Sequence, residues 1–137
     1  MPVAVLKNAS VTINSVDLSS LVESVVVTYA VDQLEITAMG MTGHRYDDGL
    51  QNNQLVVNLY QDYAATKTEA TVYSLVGSTT TVVVKPDSGA VSATNPSYTL
   101  SNTFLAAHTP LGSSGRVGEM PMVQLTFTGG DLVKATS

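Results

Sequence analysis

The side chains in this chain that carry chemistry are few and scattered. His44 stands with Asp47 and Asp48 in the segment GMTGHRYDDG from Gly40 to Gly49, and one imidazole with two nearby carboxylates is a set that could hold a cation or trade protons. The spacing argues against a calcium loop, which needs oxygen ligands at alternating positions and a closing Glu; here Gly49 is followed by Leu50-Gln51-Asn52. The segment therefore reads as a polar solvated loop. His108 and the serines form no nucleophile elbow, because no Gly-x-Ser-x-Gly surrounds any of them. Gly112-Ser113-Ser114-Gly115-Arg116-Val117-Gly118 has the glycine content of a phosphate cradle but lacks the Lys-Ser/Thr ending and a following helix, so it reads as turn. There is no cysteine, which removes disulfides, thiolate catalysis and cysteine-based zinc sites together. No catalytic, metal or cofactor-binding residue is assigned.

The elements that would position these groups are mostly strands. Ser10 to Asn14 alternates Val11 and Ile13 with polar residues, and Asn14-Ser15 can turn the chain into Val16 to Ser19 as a short hairpin. Ser24 to Met39 reads as one long strand, with Val25, Val27, Tyr29 and Val31 on one face and Val26, Ala30, Leu34 and Ile36 on the other. A strand apolar on both sides is either central in a sandwich or covered by a neighbouring chain. Gly40 to Gly49 is its hairpin tip, and Leu50 to Tyr60 returns.

One helix interrupts the strands between Gln61 and Gly77. Asp62 or Thr66 can cap it, Thr66-x-x-Glu69 has capping-box spacing, and Ala70, Val72, Tyr73 and Val76 fall on adjoining sides. Ser78 to Lys85 is β-branched through its middle and stopped by Pro86. Strands over Ser97 to His108 and Glu119 to Thr128 follow, separated by the polar stretch 86–96 and a Gly-rich turn. The fold class expected is mainly β: antiparallel β-sandwich or barrel-like sheets with one short α-helix packed on the side. A single domain over 1–137 is expected, with a flexible loop or arm at about 39–50 and a long loop at 86–96.

The hydrophobic share is 44% and the charged share 12%, against about 25% charged in a typical soluble domain. Part of that apolar surface is expected to lie against other subunits. Eleven acidic against six basic residues give a net charge of −5, and the six cations stand singly, which is not how a phosphate-gripping surface is built. Met1 to Ser20 lacks the features of a secretion signal, and no run approaches the roughly 18 apolar residues of a membrane span. The chain reads as soluble and unprocessed, with no membrane partner.

Several pieces in order resemble the small tail tube proteins (major tail proteins) of long-tailed bacteriophages. They are Val5 to Asn14; Asp62-Tyr63-Ala64-Ala65; Leu75-Val76-Gly77; Lys85-Pro86-Asp87; Val91-Ser92-Ala93-Thr94-Asn95-Pro96; and Val123 to Phe127 before a Gly-rich turn. The segment from Asp32 to Asp48 departs from that pattern, because Leu34, Ile36, Met39 and Met41 stand where such proteins are more acidic.

The resemblance implies a tail-tube-like fold and a structural, non-enzymatic virion protein: a subunit of hexameric rings stacked into a tube through which DNA is delivered. It implies partners of the same kind, namely further copies of the chain, tape measure, terminator and distal tail proteins, and DNA that passes without specific binding. Assembly would occur in the bacterial host cytoplasm. Other virion components of similar architecture (a tail terminator, a connector ring, a capsid decoration protein) and a ligand-binding β-sandwich are the alternatives. Methionine suits adaptable contacts, so Leu34, Ile36, Met39, Met41, Met120 and Met122 are the expected inter-subunit contacts. A lumen that DNA must slide through should repel phosphate, so some of Asp17, Glu23, Asp32, Glu35, Asp47, Asp48 and Asp87 are expected to face it.

Overall fold

Among the described residues alternating apolar residues build ten strands, eight of which send side chains into one core. The computed structural model describes residues 9–65, 67–112, 117–118 and 120–136. Thr66, residues 5–8 and 113–116 and Glu119, all used in the sequence reading, lie outside them. The strands are β1 (Ser10–Ile13), β2 (Val16–Asp17), β3 (Val22–Thr28), β4 (Val31–Glu35), β5 (Tyr46–Gln51), β6 (Gln54–Tyr60), β7 (Ser78–Lys85), β8 (Ser97–Leu105), β9 (Met122–Thr128) and β10 (Asp131–Ala135), with helix α1 (Thr68–Val72) between β6 and β7. All pairings are antiparallel. The mainly β fold with one short helix is therefore as expected.

The order β2-β1-β7-β8-β9-β6-β3 is one path of hydrogen-bonded neighbours, with β10 added on β8. β9 joins β8 only at Phe104↔Thr128 and Leu105↔Phe127, after which Gly129-Gly130 turns the chain into β10 alongside Ser97 to Ser101. The path thus folds over at this corner. Val11, Ile13, Val82, Val84, Leu100 and Leu105 on one side meet Leu55, Val57, Leu59, Val123, Leu125 and Phe127 on the other. No ladder joins β3 to β10 among the described residues.

The opening hairpin forms as expected, with Asn14 and Ser15 both at positive φ, the signature of the tight turn that matches strand twist. Its second strand stops at Asp17, because Ser19–Leu21 coils into a 3-10 turn that buries Leu18.

The long strand expected over Ser24 to Met39 is two strands. It breaks at Tyr29-Ala30, and β5 begins at Tyr46, inside the expected loop, so β4 and β5 form a separate two-stranded sheet. Asn53 makes the break. It is 1% exposed; its Oδ1 accepts from the Ala30 N–H at 3.3 Å, and its Nδ2 donates to Gln51 Oε1 at 2.8 Å and to the Gly130 carbonyl at 3.0 Å. Burying an amide without partners is costly, so the chain bends where all of these can be met.

The helix is present but presents a different face from the one expected. Thr68, Thr71, Val72 and Leu75 are buried, while Ala70, Tyr73 and Val76 are exposed. Thr68 points inward because its hydroxyl donates to the Tyr60 carbonyl at 2.9 Å. The N-cap is Lys67 without a side-chain hydrogen bond, the Glu69 carboxylate is engaged by Gln61 and His108, and the Thr66 half of the expected capping box lies outside the described residues. β8 ends at Leu105 rather than His108, β9 starts at Met122 after Pro121, and β10 was not expected at all.

Candidate assembly surfaces

The β4–β5 hairpin stands off the sandwich as an arm. Among the described residues its ladder is its own, Leu34 opposite Asp47, Gln33 opposite Asp48 and Glu35 opposite Tyr46, so its two faces differ. One carries Asp32, Leu34 and Asp47, with Ile36 continuing the alternation; a Cβ placed on Gly49 would lie 3.1 Å from Asp32 Cβ and 3.4 Å from Leu34 Cγ, so Gly49 keeps this face low. The other carries Gln33, Glu35, Tyr46 and Asp48. Leu34 and Ile36 are each 53% exposed, Met39 fully so, and Met41 and Leu50 also face solvent.

The candidate cation cluster does not form. His44 Nδ1 lies 2.7 Å from Glu35 Oε2 rather than beside Asp47 or Asp48, which point to opposite faces. Among the described residues no group of three His, Asp or Glu side chains is placed to hold a metal ion.

Met120 is exposed and Met122 half-buried, and both sit at the far end of the sandwich from the arm: β6 runs from Gln54, at the arm root, to Tyr60, which pairs with Met122. That same end holds a polar network the sequence did not reveal. The His108 side chain is 2% exposed, and its Nε2 meets Glu69 Oε1 at 2.9 Å. Gln61 Nε2 donates to the same carboxylate at 3.1 Å and to the Pro110 carbonyl, which also accepts from the Tyr63 hydroxyl at 2.6 Å. His108, read as an ordinary strand-end residue, is thus a buried tie between the loop after β8 and the helix. The partners lie 39 residues apart, so no spacing signals them.

Of the seven candidate acidic residues, Asp17, Glu23, Asp32, Glu35, Asp47, Asp48 and Asp87, every one is exposed. They do not share one element: Asp17 is on β2, Glu23 on β3, four are on the arm, and Asp87 follows β7. Asp17 is held below the usual carboxylate range, first by the hydroxyl of Ser19 and then by the Ser19 N–H at 2.9 Å, against an opposing cost of burial, with Lys67 and Lys85 adding lesser lowering effects.

A cleft of about 520 Å³ opens where β3 faces β10. It is lined by Val25, Val27 and Tyr29 from β3 and its end, Leu132 and Lys134 from β10, Val84 and Lys85 from β7, and Tyr98 from β8. It adjoins the arm root, since the Leu132 N–H donates to Gln51 Oε1 at 3.2 Å.

No family model matches the sequence, and no curated protein matches it. Solved structures do match over nearly the whole chain. A chain from the sheath/tube terminator structure of an extracellular contractile injection system in its extended state aligns with TM-score 0.68 and 13% identity, covering 98% of this chain and 96% of that one. A chain from the sheath-tube complex of such a system aligns with TM-score 0.69 and 11% identity, covering 99% and 93%. A chain from the virion of a native gene transfer agent particle aligns with TM-score 0.62 and 10% identity, covering 96% and 98%. At these identities the likeness is one of fold: the chain has the fold found in chains of phage-like tail assemblies.

Proposed function

We propose that this chain is a structural subunit of a phage-type tail whose rings, hexameric in this reading, stack into a tube through which DNA is delivered. The observation that carries the reading is the arm, a two-stranded sheet with bare aliphatic residues and no partner strand from the sandwich among the described residues. The fold likeness supports it. The arm and the Met120–Met122 region lie at opposite ends of β6, and contacts between unlike patches of identical copies build rings or open helical stacks rather than closed two-fold pairs. Leu34, Ile36, Met39, Met41, Met120 and Met122 are the proposed contacts.

The net charge of −5 suits a conduit, since even a few lysine–phosphate contacts per ring would give a salt-dependent grip on DNA. Some of the seven exposed acidic residues named above are proposed to face the lumen. The virion is the proposed location, and further tail proteins the proposed partners. A ring that terminates a tube is the second reading, favoured by the likeness to chains in a tube terminator and in a tube-terminating cap. Negative-stain imaging of the purified chain tests both: long hollow tubes support the first, single rings the second, and dispersed monomers neither.

A further inference from the structure

The cleft between β3 and β10 and the arm have matching chemistry. The cleft is apolar along Val25, Val27 and Leu132 and has two cations, Lys85 and Lys134, among its lining residues. One face of the arm offers two exposed aliphatics, Leu34 and Ile36, with a carboxylate on either side, Asp32 on the same strand and Asp47 directly across from Leu34. The opposite arm face, with Gln33, Glu35, Tyr46 and Asp48, lacks that pattern, so the two faces are not interchangeable.

We propose that the Asp32–Leu34–Ile36–Asp47 face of the arm seats in the β3–β10 cleft of a second copy of this chain, with its aliphatics against Val25, Val27 and Leu132 and its carboxylates toward Lys85 and Lys134. Apolar area removed from water drives such a contact, while the flanking charges set orientation and register more than strength. Because the cleft adjoins the arm root rather than the Met120–Met122 end, the contact relates side-by-side copies. It is a contact within a ring, not between stacked rings. Both participants are unlike patches, so the contact propagates from copy to copy and closes only through rotation.

The inference rests on the reading that the chain self-assembles, and the experiment separates the two. The protein contains no native cysteine, so V27C and L34C variants each carry a single thiol. They are assembled as a mixture, imaged, and treated with a short bis-maleimide. The expected result is a covalent dimer of one V27C and one L34C chain, in at least roughly tenfold excess over the product from either variant alone. In parallel, K134E and D47K, both at exposed positions, should each raise the concentration needed for assembly by about tenfold, as expected for one interfacial charge pair, and a chain carrying both changes should recover.

Rings or tubes that form without the mixed dimer, and without rescue in the double variant, would overturn the seating while leaving self-assembly intact. Failure of the unmodified chain to assemble at all would remove the proposed function and this inference with it.

Discussion

Asn53 shows how one buried amide can set the course of a hairpin. Its side chain serves Ala30, Gln51 and Gly130 at once, and its own carbonyl accepts from the Gly129 N–H at 2.8 Å. Replacing it with Ala leaves the half-buried Ala30 N–H and Gly130 carbonyl without this partner, so N53A should lose about 1–3 kcal/mol of stability, measurable as a lower denaturant midpoint. Nothing in the local sequence announces this, because Leu50 to Tyr60 reads as one continuous strand, whereas the chain breaks between β5 and β6 at Asn52-Asn53. Ser19 offers a second test. Its hydroxyl accepts from the Val11 N–H at 2.8 Å and donates to Asp17. Asp17 therefore titrates lower in the folded chain than in the unfolded one, and its contribution to stability is present above the unfolded value and lost as pH falls through the folded one. Removing the largest cause with S19A should move the Asp17 carboxyl toward the ordinary aspartate value, which a carbon-detected NMR titration would read directly; an unmoved titration would contradict the assignment.

Strands with a clean period of two were legible from sequence. β6 and β9 alternate Leu55, Val57, Leu59 and Val123, Leu125, Phe127 inward, and that pattern allows few other structures. The irregular elements were not, because their causes are distant in sequence. β8 buries Leu100 and then Thr103, a spacing of three produced by a bulge at Asn102, whose φ is 57°. The β9–β10 connection lies on that bulge, and Gly130 permits it: its φ is 92°, and a Cβ there would sit 2.3 Å from the Ser101 carbonyl oxygen. G130A should thus cost about 1–3 kcal/mol from the left-handed backbone alone, with displacement of β10 adding more; thermal melting checks it, and an unchanged midpoint would contradict the packing. The helix face was misjudged for a related reason, since Thr68 and Thr71 count as polar in any pattern but are buried. The arm was foreseen as a loop on an apolar base, and the structure makes much of it sheet. The Asn52 N–H donates to the Ala30 carbonyl at 2.7 Å, which closes the root on its own. Excising residues 31–51 and joining Ala30 to Asn52 through a short turn should accordingly leave a cooperatively melting sandwich that forms neither rings nor tubes.

Among the described residues the exposed surface includes Val26, Tyr29, Leu34, Ile36, Met39 and Leu50. Large apolar patches on soluble chains mark interaction sites. Sequence gave no view of the cleft, because its walls come from β3, β7, β8 and β10 and meet only through the fold.

Sedimentation velocity over a wide concentration range, run on the intact chain and on the arm-excised chain, addresses the central claim most directly. The account predicts that the intact chain grows into large, defined species while the arm-excised chain sediments as a folded monomer. An intact chain that stays at 14.3 kDa at every concentration reached, or an arm-excised chain that assembles as well as the intact one, would contradict it.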